Sequence, residues 1–94
     1  MPRVRPLTSV EREMQADEEA LKIASREFME ILGAERGRKD MTHESFSDHI
    51  GVTRQTYYNW RKAGIGGMSV KSLVRICRKV GAQVQIVPVH GNPR

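Results

Sequence analysis

The sequence has few cysteines, few aromatic residues and no long apolar run, and each shortage excludes a class of protein. Its 94 residues include one cysteine, Cys77, so they offer neither a disulfide framework nor a cysteine-ligated metal site. One Trp, two Tyr and two Phe leave a core that must be mainly aliphatic. No stretch reaches the roughly 18 consecutive apolar residues of a membrane span. We therefore expect one small soluble, cytoplasmic domain with no membrane partner, in which Cys77 is a buried, unreactive thiol.

Signatures of catalysis and cofactor binding are also missing. We find no nucleophile elbow, no phosphate-binding loop and no paired catalytic acids. The three histidines, at positions 43, 49 and 90, do not have the spacing of metal ligands. The sequence therefore predicts no enzyme, no cofactor and no metal site.

Acidic residues are nearly absent from the second part of the chain. Residues 36–94 carry eleven basic side chains and three acidic ones, whereas residues 1–35 carry five basic and eight acidic ones. No Asp or Glu follows Asp48. This imbalance indicates a polyanionic partner. The opening MPRVRP predicts a flexible basic arm over residues 1–8, whose Arg3 and Arg5 either follow a minor groove of DNA or have no role.

The first long segment has the pattern of an amphipathic helix from Ser9 to about Gly33. Asp17 interrupts its apolar face, so the segment is either one helix with a polar break or two helices, the second capped by Asp17. Gly33 and Gly37, with basic residues around them, predict where the segment ends. The apolar positions recur at spacings of three, four and seven and are Val10, Met14, Leu21, Ala24, Phe28 and Ile31.

Three short helices are predicted next, because each begins with the same signal. An apolar residue precedes a hydroxyl N-cap, and a second apolar residue follows five positions after the first, as in a hydrophobic staple. The predicted helices cover about 43–50, 54–62 and 70–80. The three signals are Met41-Thr42 with Phe46, Val52-Thr53 with Tyr57, and Met68-Ser69 with Leu73.

Residues 42–62 have the spacing that two short helices need if they are to cross steeply around a tight turn. Gly51 suits the turn because glycine takes a left-handed conformation at little cost. Ser47 is the small residue expected where the helices approach most closely, and Val52 is expected to pack beneath the turn. The positions that would face inward are Phe46, Ile50, Tyr57 and Trp60.

The stretch MTHESFSDHIGVTRQTYYNW resembles the core of the Cro and phage-repressor (XRE-type) helix-turn-helix family. MSVKSLVRICRKVGAQVQI is similar to that family's next helix and tail, so the resemblance covers roughly residues 20–87. It implies an all-α, lambda-repressor-like DNA-binding domain of four to five helices that works as a dimer. Together with the preceding helical segment, we predict that this domain covers residues 9–81. Ser47 stands where the family most often has Ala, AGIGG at 63–67 replaces a loop that usually carries Pro, and the segment before residue 18 is unmatched.

In that fold the second helix of the motif enters the major groove, and its outward side chains contact the bases. The predicted base-contacting residues are Arg54, Gln55, Tyr58 and Asn59, because Arg pairs with guanine and Gln or Asn with adenine. The predicted phosphate-contacting residues, which position the protein on DNA without specifying sequence, are Thr42, His43, Thr53, Thr56, Arg61, Lys62 and Lys71.

Residues 82–94 are predicted to form a C-terminal strand and tail. The strand covers 82–89, where Val84 and Ile86 alternate with glutamines. A lone strand cannot pair its own backbone, so two copies of 83–87 are predicted to form a dimer ribbon through Val84 and Ile86. The alternatives are that the strand packs on its own domain or that Val10 to Ile31 makes the dimer contact.

The leading functional hypothesis is a transcriptional regulator that binds double-stranded DNA. We expect a homodimeric repressor on a pseudo-palindromic operator. One alternative is an antitoxin that binds DNA with the same core and a toxin with residues 8–32. A further alternative is a protein-interaction module without a role on DNA.

Overall fold

The computed structural model describes residues 5–88, and within them the protein is all-helical. A long helix comes first and three short ones follow. The predicted short helices are confirmed, with ends that differ by at most one residue from expectation. The four helices are α1 (Ser9–Arg38), α2 (His43–Ile50), α3 (Arg54–Ala63) and α4 (Val70–Lys79).

Each helix begins at a hydroxyl side chain that caps its first turn. Thr42 accepts a hydrogen bond from the backbone N–H of Ser45, and the hydroxyls at the starts of α3 and α4 accept in the same way. At α1 the N-cap is Thr8, where a reciprocal capping box with Glu11 is formed. Three of the four caps were predicted from the repeated signal, and the partner apolar residues Met41, Val52 and Met68 pack against the core.

The N-terminal segment is one continuous helix of 30 residues, which decides between the two interpretations of Asp17. Asp17 is an exposed residue within α1 and caps nothing. The prediction that Gly33 ends the segment is wrong, because the next turn buries Glu35 and lets Arg36 donate to the Met41 carbonyl, and these contacts outweigh the helix cost of glycine. The helix ends instead at Arg38, two residues before Asp40 adopts a left-handed φ of 53°. Among residues 5–88, no helix combines the length and the apolarity needed to cross a bilayer.

The core lies where the second half of α1 meets α2, α3 and α4. Trp60 packs edge-on against Phe28, with 5.9 Å between ring centroids, and Tyr57 lies 5.9 Å from Phe46. These contacts fix the inner face of α3 against α1 and α2. The buried core residues are Phe28, Leu32, Phe46, Ile50, Tyr57, Trp60, Ile65, Ile76, Cys77 and Val80.

The loop after α3 is tied to α1 at one point. Gly64 adopts φ 90° and ψ −174°, and a Cβ placed there would lie 2.9 Å from the Ser25 Oγ. The next residue, Ile65, is buried, and its backbone N–H donates to that Oγ at 3.0 Å. The loop therefore needs glycine at position 64, both for its backbone conformation and for space.

The predicted C-terminal strand is not formed. Residues 82–88 have no strand pairing, and residue 89 lies outside the described residues. The physical reason is that a single chain offers this segment no second strand, so its backbone groups have nothing to pair with in a ladder. Val84 is 42% exposed and Ile86 98% exposed, so neither packs on its own domain.

Candidate nucleic-acid interface

The turn between α2 and α3 is set by Gly51 and by a small buried residue. Gly51 has φ 80° and ψ 34°, the left-handed conformation that ends α2. The backbone N–H of Val52 donates to the Ser47 carbonyl at 3.0 Å and closes the turn. Ser47 is fully buried, and its Oγ donates to the Glu44 carbonyl at 2.8 Å, so this polar side chain is satisfied within α2. The predicted geometry of residues 42–62 is therefore present.

One face of α3 is fixed in the core and the opposite face is open. Tyr57 and Trp60 are buried, as their spacing predicts. The residues on the other side of the helix are exposed, and they are those predicted to contact bases, together with Lys62. They are Arg54, Gln55, Tyr58 and Asn59.

The exposed side chains of α3 hold one another in place. The Gln55 amide Nε2 donates to the Asn59 Oδ1 at 2.9 Å, which joins two amides one turn apart. The Lys62 ammonium lies 5.8 Å from the centre of the Tyr58 ring, within the range of a cation–π contact. This face therefore offers several hydrogen-bond donors and acceptors in a partly fixed arrangement.

Arg54, at the start of α3, is paired with an acidic residue of α2. Its Nη2 lies 3.6 Å from the Glu44 Oε1, and both side chains are well exposed. An exposed pair of this kind contributes little to stability, so Arg54 can exchange Glu44 for another acceptor at small cost. In the absence of another acceptor, Glu44 keeps the Arg54 guanidinium near the first turn of α3.

Two of the three threonines predicted to contact phosphate, Thr42 and Thr53, already use their hydroxyls for capping. Thr42 accepts from the Ser45 N–H and donates to the Ser45 Oγ at 3.1 Å. Thr53 accepts from the Thr56 N–H at 3.0 Å and donates to the Thr56 Oγ1 at 2.8 Å. A phosphate at these helix ends would therefore bind chiefly to exposed backbone N–H groups.

The comparisons with known proteins provide no further assignment. No protein family, curated protein or solved structure matches the chain.

His43 and Arg61, both predicted to contact phosphate, lie together beside a small cavity. The His43 Nδ1 is 3.2 Å from the Tyr57 hydroxyl, and the Arg61 guanidinium lies 6.0 Å from the centre of the Tyr57 ring. Burial, and then the charges of Arg61 and Arg36, hold the pKa of His43 below its ordinary value. Burial raises the pKa of Tyr57, and the same two guanidiniums oppose that rise. A neutral imidazole and phenol therefore lie between two cations.

Lys71, the last of the predicted phosphate contacts, is exposed in the first turn of α4. Another α4 residue, Lys79, instead lies at the turn, with its Nζ 3.0 Å from where a Cβ of Gly51 would stand. Sequence analysis did not select Lys79 or Arg36, because their placement depends on how α4 and α1 pack.

The other residues singled out in the sequence lie away from α2 and α3 along the chain. Arg5 is bound to Glu11 at 2.9 and 2.5 Å, and Arg3 lies outside the described residues. Val84 and Ile86, predicted to make a dimer, are exposed. Cys77 is buried, as predicted, and burial raises the pKa of its thiol. Within residues 5–88, no three His, Cys, Asp or Glu side chains come together as metal ligands.

Proposed function

We propose that the protein is a sequence-specific regulator that binds double-stranded DNA through α2 and α3. The observation that carries the proposal is the two-sided character of α3. Its apolar side is fixed by Tyr57 and Trp60 in the core, while its polar side presents Arg54, Gln55 and Asn59 to solvent. A short helix anchored in this way behind a tight turn is the arrangement that inserts side chains into a major groove.

The exposed side chains of α3 suit direct reading of bases. Arg54 can donate two hydrogen bonds to guanine, and Gln55 or Asn59 can pair with the two groups that adenine presents in the major groove. The mutual hydrogen bond of Gln55 and Asn59 orients both amides before binding. Tyr58 can contact a thymine methyl group or donate to a phosphate. The resemblance of residues 42–62 to the Cro and phage-repressor family supports the same proposal.

The regulator acts as a homodimer on a pseudo-palindromic operator in this proposal. Val84 and Ile86 are exposed apolar residues in an unpaired segment, and a second copy could cover them by strand pairing. The two α3 helices would then reach half-sites about one helical turn, or 34–36 Å, apart. Occupation of a promoter by such a small protein would repress transcription by occlusion.

A second candidate function is that of an antitoxin, and the exposed start of α1 favours it. Residues 12–24 are exposed throughout, although Val10, Met14 and Leu21 continue the apolar side that α1 buries further along. A toxin or other protein could bind there while α3 binds DNA. A protein-interaction module without a DNA role would use this surface alone. The acid-free stretch after Asp48 favours the DNA-binding candidates over that module.

Selection of bound duplexes from a random library, followed by a salt titration on the recovered sequence, tests the proposal. We expect an inverted repeat with half-sites about one helical turn apart, bound far more tightly than random DNA. Weak binding with no recovered motif would contradict sequence-specific recognition and leave the interaction module. Co-purification with a protein encoded beside this gene would support the antitoxin.

A further inference from the structure

A cavity of about 250 Å³ lies where α1, α2 and α3 meet, beside the face that is proposed to read DNA. Arg36 comes from the end of α1, His43 from the first turn of α2, and Tyr57 and Arg61 from α3. Met29 and Gly33 complete the wall. Three elements therefore bring two guanidiniums, an imidazole and a phenol to one place.

The charges around this cavity are unbalanced. None of the residues that line it is acidic. The acidic residues adjacent in sequence to Arg36 and His43 have other partners, since Glu35 pairs with Arg38 and Lys39, and Glu44 pairs with Arg54 at 3.6 Å. Like charges held close together without a counter-charge destabilise the folded state, and a bound anion would remove that cost.

Arg36 is held in position beside this space. Its Nη1 donates to the Met41 carbonyl at 2.9 Å, which fixes the guanidinium at the edge of the cavity. The Tyr57 hydroxyl, whose oxygen lies 3.2 Å from the His43 ring, is a second polar group beside the same space.

We propose that this cavity is a binding site for a phosphate group, held by Arg36, His43, Tyr57 and Arg61. Guanidiniums bind phosphate with paired, charge-assisted hydrogen bonds, and an imidazole and a phenol can add further donors. Pockets that hold whole drug-sized ligands have volumes of about 300–1,000 Å³. The volume of this cavity is smaller, so the cavity suits a single anionic group. That group is either the phosphate of a free small molecule or one phosphate of a DNA strand. The proposal does not depend on sequence-specific DNA binding.

Titration of the full chain with inorganic phosphate, at constant ionic strength maintained with chloride, tests the site without DNA. We expect saturable shifts of the amide NMR signals of Gly33, His43 and Tyr57. Arg61→Gln and His43→Gln are the main variants, because both side chains are partly exposed and neither fixes the fold. Arg61→Gln should weaken binding by about tenfold, as for loss of one charge-assisted hydrogen bond. Arg75→Gln, an equal charge change on the exposed side of α4, should leave binding unchanged.

The pKa of His43 provides a second measurement. Its low value has three sources, namely burial, Arg61 and Arg36, and Tyr57 is the other titratable group that faces it. A bound anion favours the charged imidazole, so saturating sulfate, which stays ionised throughout the titration, should raise the pKa of His43. Arg61→Gln alone also raises that pKa, because it removes a neighbouring cation, but added sulfate should then have less effect.

Addition of a duplex to the phosphate-saturated protein identifies the source of the group. Displacement of the bound phosphate by DNA assigns the cavity to a strand phosphate, whereas retention assigns it to a free phosphorylated ligand. Shifts that never saturate, shifts that chloride reproduces, or equal binding by Arg61→Gln and wild type would each overturn the proposal. Failure of the duplex selection to recover a motif would contradict only the proposed function, because the phosphate titration contains no DNA.

Discussion

At the scale of single residues, contact and packing are divided between the two sides of α3. Trp60 and Tyr57 hold the helix, and the side chains that we assign to base contacts have no part in the core. Substitutions on the exposed side should therefore change binding without unfolding the protein. This separation makes the assignment of base contacts testable residue by residue.

Arg54→Ala should weaken binding to the selected operator by about 1–3 kcal/mol and relax the base preference at one position. The expected loss comes from the paired hydrogen bonds to guanine, since its exposed contact with Glu44 contributes little. Lys62→Ala is the comparison, because a phosphate contact should weaken cognate and random duplexes alike and lower the salt dependence by about one counterion. Equal losses on cognate and random DNA for Arg54→Ala would remove it from the base contacts.

Gly64→Ala should destabilise the protein by about 1–3 kcal/mol, because φ 90° with ψ −174° lies in a region that side chains rarely enter. The added Cβ would also press on the Ser25 Oγ at 2.9 Å and disturb its hydrogen bond with Ile65. Gly67→Ala is the matched control, since a Cβ there meets nothing within 4 Å. Urea unfolding of the two variants measures the difference, and equal midpoints would contradict this account of the loop.

The sequence was sufficient to predict which residues of the helix-turn-helix are buried, and it failed for residues placed by distant packing. Spacing alone identified Phe46, Ser47, Ile50, Tyr57 and Trp60, because a tight turn leaves few ways to pack two short helices. Arg36 is the charged cavity residue that the sequence did not indicate. It meets His43, Tyr57 and Arg61 because the end of α1 packs beside α2 and α3, and no short-range signal encodes that contact.

At the scale of elements, hydroxyl caps predicted helix starts better than glycines predicted helix ends. A cap is satisfied within one turn, so a local pattern is enough to identify it. A glycine weakens a helix by only about 1 kcal/mol, and α1 continues past Gly33 because the following turn buries Glu35 and brings Arg36 to the Met41 carbonyl. The strand predicted at 82–89 is not seen over residues 82–88 for a related reason, since strand pairing depends on a partner that the local sequence does not specify.

The first turn of α1 should lose stability in acid. Hydrogen bonds from Arg5, and then from the Thr8 backbone, lower the pKa of Glu11 from 4.5 to about 2. Because the folded pKa is the lower one, the stabilisation is complete above about pH 4.5 and disappears as the pH falls through about 2. Carboxyl carbon NMR measures the titration. Arg5→Gln should raise the pKa of Glu11 towards 4.5, and an unchanged titration in that variant would contradict the role of the pair.

At the scale of the whole molecule, the protein is more extended than its length requires. Its radius of gyration is 16.9 Å, against about 12 Å for a compact domain of this size. The exposed start of α1 and the exposed residues 82–88 both contribute to this shape. Each leaves apolar side chains in solvent. Because a domain of this size is only marginally stable, we expect a protein partner to cover one or both of these surfaces.

Of these two surfaces, residues 82–88 give the more specific prediction, which is a homodimer formed through this segment. Ile86 is 98% exposed, and in a ribbon with a second copy it would be covered together with Val84. Ile86→Arg should therefore shift the protein from dimer to monomer, as gel filtration with light scattering at tens of micromolar would show. Gln85→Arg adds the same charge on the other side of the strand and should leave the dimer intact. A wild-type protein that is already monomeric would exclude the ribbon, whereas a dimer unaffected by Ile86→Arg would direct attention to Val10, Met14 and Leu21 of α1, the other exposed apolar surface.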